Sequence, residues 1–412
     1  MTNDCLSNTT IPQTLQLDGE QLSAFYQPII ALDTRKVVGY EVLGRACKGD
    51  DIFSLGPFFC NPEVPVEDHI TVDRILREQA FQKIAATEQP PMLFINLKPN
   101  WMQRGMQSGE LHTLSLLDKY QIDPRRVVIE ITEESFNGEM EELREVIDMY
   151  RSKGCLIAID DVGSGFSGMD RIALLQPNIL KIDIHMLKAS ASHDGYLGTL
   201  RSFSALADQL GASLLAEGVE TKQDLARAIQ AGVRYVQGFL FAKAEPDFEQ
   251  PDRFSSLLEE ELEAHRQLQL YSENYWRYLS DRLAGKIDRI GHLEELDEED
   301  NEWIARLLQE LESTCIRVYL CRDNGIQLSS NYSRRADGGW RREDEYCGAN
   351  WSWRPYFVPN VVQLGENRRS MVSRGYTDLD SRTWIRTVSV LVKPGIILFV
   401  DMKDPEPDYH RI

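Results

Sequence analysis

Polar side chains recur at the ends of eight short apolar runs between residues 25 and 241 of this chain. The runs are rich in β-branched and aromatic residues, which is typical of strands. Seven of them carry a polar residue at or near the C-terminal end, and the first carries a glutamine. In chain order these residues are Gln27, Glu41, Asn96, Glu130, Asp160 with Asp161, Lys181, Glu217 and Gln237. Five carboxylates brought to one place cannot all stay ionised without cations. Because oxygen donors dominate the set, it favours Mg²⁺ or Mn²⁺ over zinc or copper.

The adjacent carboxylates Asp160 and Asp161 make the expectation more specific. Such a pair suits two metal ions about 4 Å apart, with one carboxylate bridging both. Gly163-Ser164-Gly165 follows them and predicts a tight loop that can approach a ligand closely. Any one of the polar residues could be an ordinary side chain at a strand end. Their recurrence at every strand in turn favours a metal site.

The same glycines permit a competing interpretation. Residues 163–168 fit the pattern G-x-G-x-x-G after a strand and before a helical stretch, and Asp183 lies about 20 residues further on, as in dinucleotide-binding sites. That interpretation places two carboxylates beside a pyrophosphate without a metal ion, and it leaves the other strand-end residues unexplained. It is the less favoured alternative.

The elements that must position these residues follow from the spacing of the runs. The later runs are separated by stretches long enough for a crossover helix, which predicts a parallel α/β sheet, and eight units predict a closed barrel. Only residues 33–36 separate the first two runs, too few for a parallel crossover. We therefore predict an α/β fold, a modified (β/α)8 barrel of the TIM type whose first two strands pair antiparallel.

The chain changes character after about residue 250. Residues 254–290 carry apolar side chains at a spacing near 3.6, which predicts one long helix or two in tandem. Residues 294–312 are strongly acidic, and β-rich sequence follows from residue 316. We predict four segments: a polar arm over 1–18, the barrel over 19–250, a helical connector over 251–314 and a mixed α+β domain over 315–412.

Composition and charge exclude several classes of function. The 412 residues include 45 basic and 65 acidic side chains, a net charge of −20, which disfavours nonspecific binding to DNA or anionic lipid. No run of 18 apolar residues exists, so we expect no membrane span, and the first residues lack the features of a signal peptide. The seven cysteines form no C-x-x-C pair. We therefore expect reduced thiols in the cytoplasm rather than a zinc site or a disulfide framework.

Taken in order, the motifs resemble those of the EAL domain, the cyclic di-GMP phosphodiesterase module of bacteria. The resemblance covers residues 20–246. The matching segments are Tyr26-Gln27-Pro28-Ile29, Glu41-Val42-Leu43-Gly44-Arg45, Asn96-Leu97, Glu130-Ile131-Thr132-Glu133, Asp160-Asp161-Val162-Gly163-Ser164-Gly165, Leu180-Lys181-Ile182-Asp183, Ala216-Glu217-Gly218-Val219-Glu220 and Gln237-Gly238-Phe239. Parts of the sequence after residue 350 resemble PAS-like and Cache sensor domains.

The resemblance implies a reaction and a role for each residue. The reaction is metal-dependent hydrolysis of cyclic di-GMP to linear pGpG. Glu41, Asn96, Glu130 and Asp160 would hold one metal ion, and Asp160, Asp161 and Glu217 would hold the second. Lys181 would orient the attacking water, Gln237 would support the second ion, Glu133 would anchor the glycine loop, and Gln27 and Arg45 would contact the nucleotide.

The sequence departs from the family pattern at four positions. Val42 replaces the alanine of the name-giving motif, Gly44 replaces a bulkier apolar residue, Lys98 replaces a serine, and Val162 replaces a phenylalanine. None of these changes removes an implied metal ligand, so the resemblance favours an active enzyme. The alternative is a catalytically weak or idle EAL domain that acts as a cyclic di-GMP receptor.

Two further expectations concern assembly and the C-terminal domain. We predict a homodimer through the face near the glycine loop, where Met169, Ile172, Leu174 and Leu175 are apolar; their alternative role is helix-to-barrel packing. We also predict a small ligand in the C-terminal domain. Arg354 with Tyr356 and Tyr376 would bind it, or else these residues belong to the core together with Trp351 and Trp353.

Overall fold

The structure is a computed structural model that describes residues 21–98, 101, 111–131, 140–162, 169–190, 193–290, 301–365 and 368–404. The chain divides into two compact units, Met1–His265 and Arg266–Ile412. The finer boundaries at residues 18, 250 and 314 stay predictions. No helix in the described ranges is long and apolar enough to cross a membrane.

Nine strands build the sheet of the first unit. They are β1 (Gln21–Ala31), β2 (Lys36–Lys48), β3 (Asp51–Ser54), β4 (Met92–Asn96), β5 (Val127–Ile131), β6 (Leu156–Val162), β7 (Ile179–Ile182), β8 (Ser213–Ala216) and β9 (Tyr235–Val236). Parallel pairing runs from β2 through β4 to β9, and β1 pairs antiparallel with both β2 and β9. Eight strands thus close a barrel and β3 extends β2 outside it, which confirms the predicted modified barrel and its antiparallel first pair.

Helices surround this barrel. They are α1 (Gly56–Cys60), α2 (Val66–Ala85), α3 (His112–Tyr120), α4 (Met140–Lys153), α5 (Met169–Leu175), α6 (Ile184–Ser190), α7 (Asp194–Leu210) and α8 (Lys222–Gln230). In α4 the residues Leu143, Val146, Ile147 and Tyr150 are buried, a spacing that gives the helix one apolar face. That face packs on the outward side chains of the strands.

Helix α5 bears on the predicted dimer face. Ile172 and Leu175 are buried in the barrel core, whereas Met169 is 51% exposed. Ile172 and Leu175 therefore serve helix-to-barrel packing, the alternative named above, and they are not available to a partner. The homodimer stays a prediction, and on this helix it would depend on Met169 and the half-buried Leu174.

The second unit is an antiparallel sheet with helices. Its strands are β10 (Cys315–Arg322), β11 (Asn331–Arg334), β12 (Trp340–Glu343), β13 (Ser370–Val372), β14 (Tyr376–Thr377), β15 (Trp384–Lys393) and β16 (Ile396–Lys403). Their order is β12-β11-β10-β16-β15-β13, and β14 pairs with β15. The helices are α9 (Ser255–Ile290), whose residues span the division between the units, α10 (Asn301–Glu310) and α11 (Phe357–Gln363). The α+β class is confirmed; the PAS-like or Cache-like character stays a prediction.

Two apolar clusters cover the faces of this sheet. Val318 and Val400 lie in one cluster with Trp276 and Trp303 of the helices, and Phe399 lies in another with residues of α11. The second cluster also receives Tyr356 and Trp351, which are partly buried.

Candidate active site

Strand alternation places two layers of side chains inside the barrel. Successive side chains of a strand point to opposite faces, so residues two positions apart both point into the barrel. The first residue of each such pair is apolar and forms the lower layer, and the second is polar and forms the upper layer. The pairs are Phe94 and Asn96, Val128 and Glu130, Ala158 and Asp160, Ile179 and Lys181, Leu215 and Glu217, and Tyr235 and Gln237. Strand β1 runs in the opposite direction, so its polar residue comes before its apolar one. Gln27 precedes the buried Ile29 and lies opposite Glu41 in register. The strand-end residues therefore share one end of the barrel.

Lys181 is the centre of this polar layer. Its fully buried Nζ lies 2.8 Å from Glu130 Oε1, 2.9 Å from Glu217 Oε1, 3.2 Å from Asp160 Oδ1 and 4.0 Å from Glu41 Oε1. We call these five residues the Lys181 cluster. One ammonium cannot balance four ionised carboxylates in this largely buried layer, so the cluster favours either the uptake of protons or the binding of cations.

Two amides fix the carboxylate of Glu41. Asn96 Nδ2 donates to Glu41 Oε1 at 2.8 Å, and Gln237 Nε2 donates to Glu41 Oε2 at 2.6 Å. Gln237 Nε2 also lies 3.2 Å from Gln27 Oε1. Asn96 ends β4 and Gln237 directly follows β9, so the barrel itself sets the orientation of Glu41.

A glycine makes the position of Gln237 possible. A Cβ at Gly238 would lie 2.1 Å from the carbonyl oxygen of Val219. The chain after β9 can therefore lie against the chain after Glu217 only without a side chain at residue 238. Gln237 and Glu217 are held side by side by this contact and by the hydrogen bond from Val219 N to Gln237 O at 2.9 Å.

The pKa values of the carboxylates in the Lys181 cluster are shifted in different directions. Burial and the nearby Glu41 and Asp160 raise the pKa of Glu130 to about 8, although Lys181 opposes this. Burial also raises the pKa of Glu217, whereas Lys181 and the hydrogen bonds of Asp160 outweigh its burial and lower its pKa. The carboxylates raise the pKa of Lys181 well above its ordinary value despite burial, so it stays an ammonium.

The donor set fits a hard divalent cation. Buried Glu130 Oε2 and Gln237 Oε1 have no hydrogen-bond partner, and the surrounding donors are carboxylate and amide oxygens. Among the described residues, no three acidic, histidine or cysteine side chains already surround a common point as metal ligands. The carboxylates instead share the Lys181 ammonium. Their assignment as metal ligands stays a prediction.

Asp161 lies at the exposed rim of the polar layer. The pairing of β6 with β7 shifts between Ile159 and Val162, and Asp161 has a positive φ of 57°, a conformation that costs about 1 kcal/mol for a residue with a side chain. Such a bulge re-aims side chains at the end of a strand. Glu133 and the glycine loop over 163–168 lie outside the described residues.

A cavity adjoins the polar layer. Its volume is about 270 Å³, and its lining includes Asn96 and Arg45 together with Phe59, Asp73 and Trp101. Burial lowers the pKa of Arg45, and Glu41 opposes this. The wall of this cavity beside the Lys181 cluster therefore contains aromatic side chains, a basic side chain and an acidic side chain.

Three departures from the family pattern, Val42, Gly44 and Lys98, line this cavity. Lys98 Nζ donates to the Phe59 carbonyl at 2.7 Å and lies 5.1 Å from the ring centre of Trp101. Gly44 is required by packing, because a Cβ there would lie 2.6 Å from Leu76 Cδ1. Lys98 and Gly44 thus shape the cavity without touching the Lys181 cluster.

A charged pair in the cavity wall was not predicted from the sequence. Arg77 of α2 is 6% exposed, pairs with Asp73 one turn earlier and donates to Thr113 Oγ1 at 2.8 Å. Burial lowers the pKa of Arg77 to about 10. A carboxylate and an arginine four residues apart are common on exposed helix faces, so only the flanking apolar Val72 and Leu76 could have signalled that this pair points inward.

The C-terminal residues proposed for a ligand pack on one another. The rings of Tyr356 and Tyr376 stack with centres 5.3 Å apart, and the Arg354 guanidinium lies 5.6 and 5.2 Å from them. Trp351 is half-buried and donates to Gln327 Oε1 at 2.6 Å. The expectation that Trp353 belongs to the core is wrong, because it is 64% exposed.

Comparison with known proteins decides the family. Residues 10–244 match the EAL domain, and residues 252–405 match the EAL-domain associated signalling protein domain. The chain belongs to the EAL-domain family. It is 35% identical over 389 residues to the uncharacterized EAL-domain containing protein YkuI of Bacillus subtilis, covering 92% of this chain and 93% of YkuI.

One further relative and one solved structure are also similar to this chain. The cyclic di-GMP phosphodiesterase RocR of Pseudomonas aeruginosa is 30% identical over 237 residues, which cover 56% of this chain and 59% of RocR. The crystal structure of Bacillus subtilis YkuI in complex with substrate c-di-GMP and calcium matches with a TM-score of 0.85 and 34% identity, over 93% of this chain and 96% of that one.

Proposed function

We propose that this EAL protein is a divalent-metal-dependent phosphodiesterase that hydrolyses cyclic di-GMP to linear pGpG. The observation that carries the proposal is the Lys181 cluster, in which four carboxylates meet one ammonium at the end of the barrel where strand-end residues act. The relatives support the substrate, since RocR is a cyclic di-GMP phosphodiesterase and YkuI was crystallised with c-di-GMP.

The cation is proposed from the chemistry of the donors. Glu41, Asn96, Glu130 and Asp160 would hold one ion, and Asp160, Asp161 and Glu217 would hold a second. Mg²⁺ or Mn²⁺ bound there would supply charge to neutralise phosphate oxygens and would lower the pKa of a nearby water. The YkuI crystal structure contains calcium together with c-di-GMP, which supports a role for a divalent cation.

The other residues of the site act on water and substrate. Lys181 stays protonated among the carboxylates and donates a hydrogen bond that orients the attacking water. Gln237 keeps Glu41 aligned. Arg45 of β2 offers a two-pronged donor to a phosphate. Gln27 of β1, which lies opposite Glu41 in register, is proposed to contact the nucleotide, and Glu133 is proposed to anchor the glycine loop. Attack on phosphorus breaks one P–O3′ bond and leaves a 5′-phosphate on pGpG.

Product chromatography with matched variants tests this function. Wild type with Mg²⁺ or Mn²⁺ should convert cyclic di-GMP to pGpG, and Glu130→Ala or Asp160→Ala should lower the rate by at least 10³-fold, because removal of a metal ligand costs several kcal/mol of transition-state stabilisation. Lys188→Ala removes an exposed ion pair with Glu220 and should leave the rate unchanged. Binding of cyclic di-GMP without product in wild type would assign the receptor role instead.

A further inference from the structure

The C-terminal unit contains a polar cavity of its own. Its volume is about 580 Å³, and it lies between the Glu273–Asp281 stretch of α9 and residues 368–372 around β13. Three arginines line it, Arg277 from the helix and Arg368 and Arg369 from the strand side. Cavities of roughly 300–1,000 Å³ are typical of small-molecule sites. The volume therefore suits a metabolite rather than a single ion.

Two charged groups of this cavity are neutralised by the protein itself. Arg369 pairs with Asp288 and donates to the Leu391 carbonyl at 3.3 Å. Glu273 accepts from Arg386 at 3.2 Å. These groups shape the wall, and their charges are already balanced.

Two guanidinium groups of the cavity form no ion pair with the residues that the structure describes. In the described part of the chain, neither Arg277 nor Arg368 forms an ion pair, and Arg368 has only a long contact of 3.4 Å with Gln363 Oε1. Two free guanidinium groups at one concave surface therefore mark a place suited to an anion.

The wall of the cavity also supplies two buried hydroxyl groups and one exposed carboxylate. Ser280 and Ser370 are buried, Ser370 Oγ lies 3.2 Å from Ser280 Oγ, and Ser280 Oγ donates to the Arg277 carbonyl at 3.0 Å. The Asp281 carboxylate lies 3.4 Å from Ser370 Oγ and forms no ion pair with a described residue. Asp281 can thus accept a hydrogen bond from a ligand.

We propose that this cavity binds a small polar metabolite whose oxyanion, a carboxylate or a phosphate ester, lies between Arg277 and Arg368. The planar guanidinium fork matches both oxyanions and binds either with two hydrogen bonds. An O–H or N–H group of the same ligand donates to Asp281. The site is separate from the Lys181 cluster and does not depend on the barrel chemistry.

Isothermal titration calorimetry of the full chain tests the proposal. The probes are citrate for the carboxylate and glycerol 3-phosphate for the phosphate ester, in metal-depleted buffer so that no barrel-bound cation recruits them. We expect saturable binding of one of them at one site per chain. R277Q and R368Q should each weaken it at least tenfold. R289Q, which removes an exposed arginine of the same helix outside the cavity, should bind as wild type does.

The affinities of the two probes for wild type and the variants decide the proposal. Preference for citrate or for glycerol 3-phosphate identifies the oxyanion class. Absence of saturable binding for both probes overturns the proposal, and so does equal affinity in wild type, R277Q and R368Q. Circular dichroism spectra of the variants check that the substitutions of these surface-facing arginines leave the fold intact.

Discussion

Replacing Glu130 by glutamine tests whether ionisation of this buried carboxyl lowers the free energy of unfolding. In the metal-free protein the pKa of Glu130 is raised from 4.5 to about 8. A raised carboxyl pKa means that the folded state binds the proton more tightly than the unfolded state. Ionisation of Glu130 therefore lowers the free energy of unfolding as the pH rises from about 4.5 to about 8, and the penalty is constant above that range.

The size of the effect follows from the two pKa values. One pKa unit corresponds to about 1.4 kcal/mol, so the penalty is about 1 kcal/mol at pH 5, about 3 kcal/mol at pH 7 and about 5 kcal/mol above pH 8. Glutamine has the same shape and no proton to lose. E130Q should therefore have a free energy of unfolding that is higher than that of wild type by these amounts, and the proposed phosphodiesterase activity should be lost.

Urea unfolding followed by circular dichroism, in metal-depleted buffer at pH 5, 7 and 8.5, measures the difference. The matched control is E141Q, an exposed carboxylate at the start of α4, which should change the free energy of unfolding by less than about 0.5 kcal/mol. If E130Q is less stable than wild type at pH 7, or if its advantage does not grow with pH, the reasoning about the Lys181 cluster is wrong.

Three further predictions concern the cavity wall, the glycine contact and the metal. Arg77→Met should destabilise the barrel by about 3 kcal/mol because Asp73 loses its buried partner, and the double variant with Asp73→Asn should cost less than the sum of the single changes in urea unfolding. Gly238→Ala should abolish turnover and lower the melting temperature because its Cβ meets Val219, whereas Gly285→Ala, in open space on α9, should be neutral or stabilising. Ca²⁺ should support nucleotide binding in calorimetry and fail to sustain turnover, because it prefers longer bonds and more ligands than Mg²⁺; rates comparable to those with Mg²⁺ would contradict this.

The barrel and its polar layer could be predicted from sequence because the polar residues follow the two-residue alternation of the strands. Strand alternation places Glu130 two residues after Val128, and Lys181 two residues after Ile179, so a polar residue at the end of an apolar run already indicates its layer. The short link between the first two runs likewise required an antiparallel pair. Local spacing decided these features, and no long-range contact had to be known.

Features that depend on packing between distant elements could not be predicted. The inward-facing pair of Asp73 and Arg77 has the spacing of an exposed ion pair, and its burial depends on α2 meeting Thr113 of α3. Ile172 and Leu175 are as apolar as interface residues, and only the barrel contact shows that they are core. That Lys181 would share four carboxylates was also not evident, because the sequence gives no distances.

The dependence of the hydrolysis rate on metal concentration tests the central claim most directly. The measurement is the initial rate of pGpG formation from cyclic di-GMP as free Mn²⁺ is raised from metal-depleted buffer to saturation. We expect no product without metal and a rate that rises more steeply than the first power of Mn²⁺ concentration, because two ions must bind the carboxylates of the Lys181 cluster with Asp161. Product formation that is unchanged by metal depletion, or cyclic di-GMP that stays intact at saturating Mn²⁺, would contradict the proposed function.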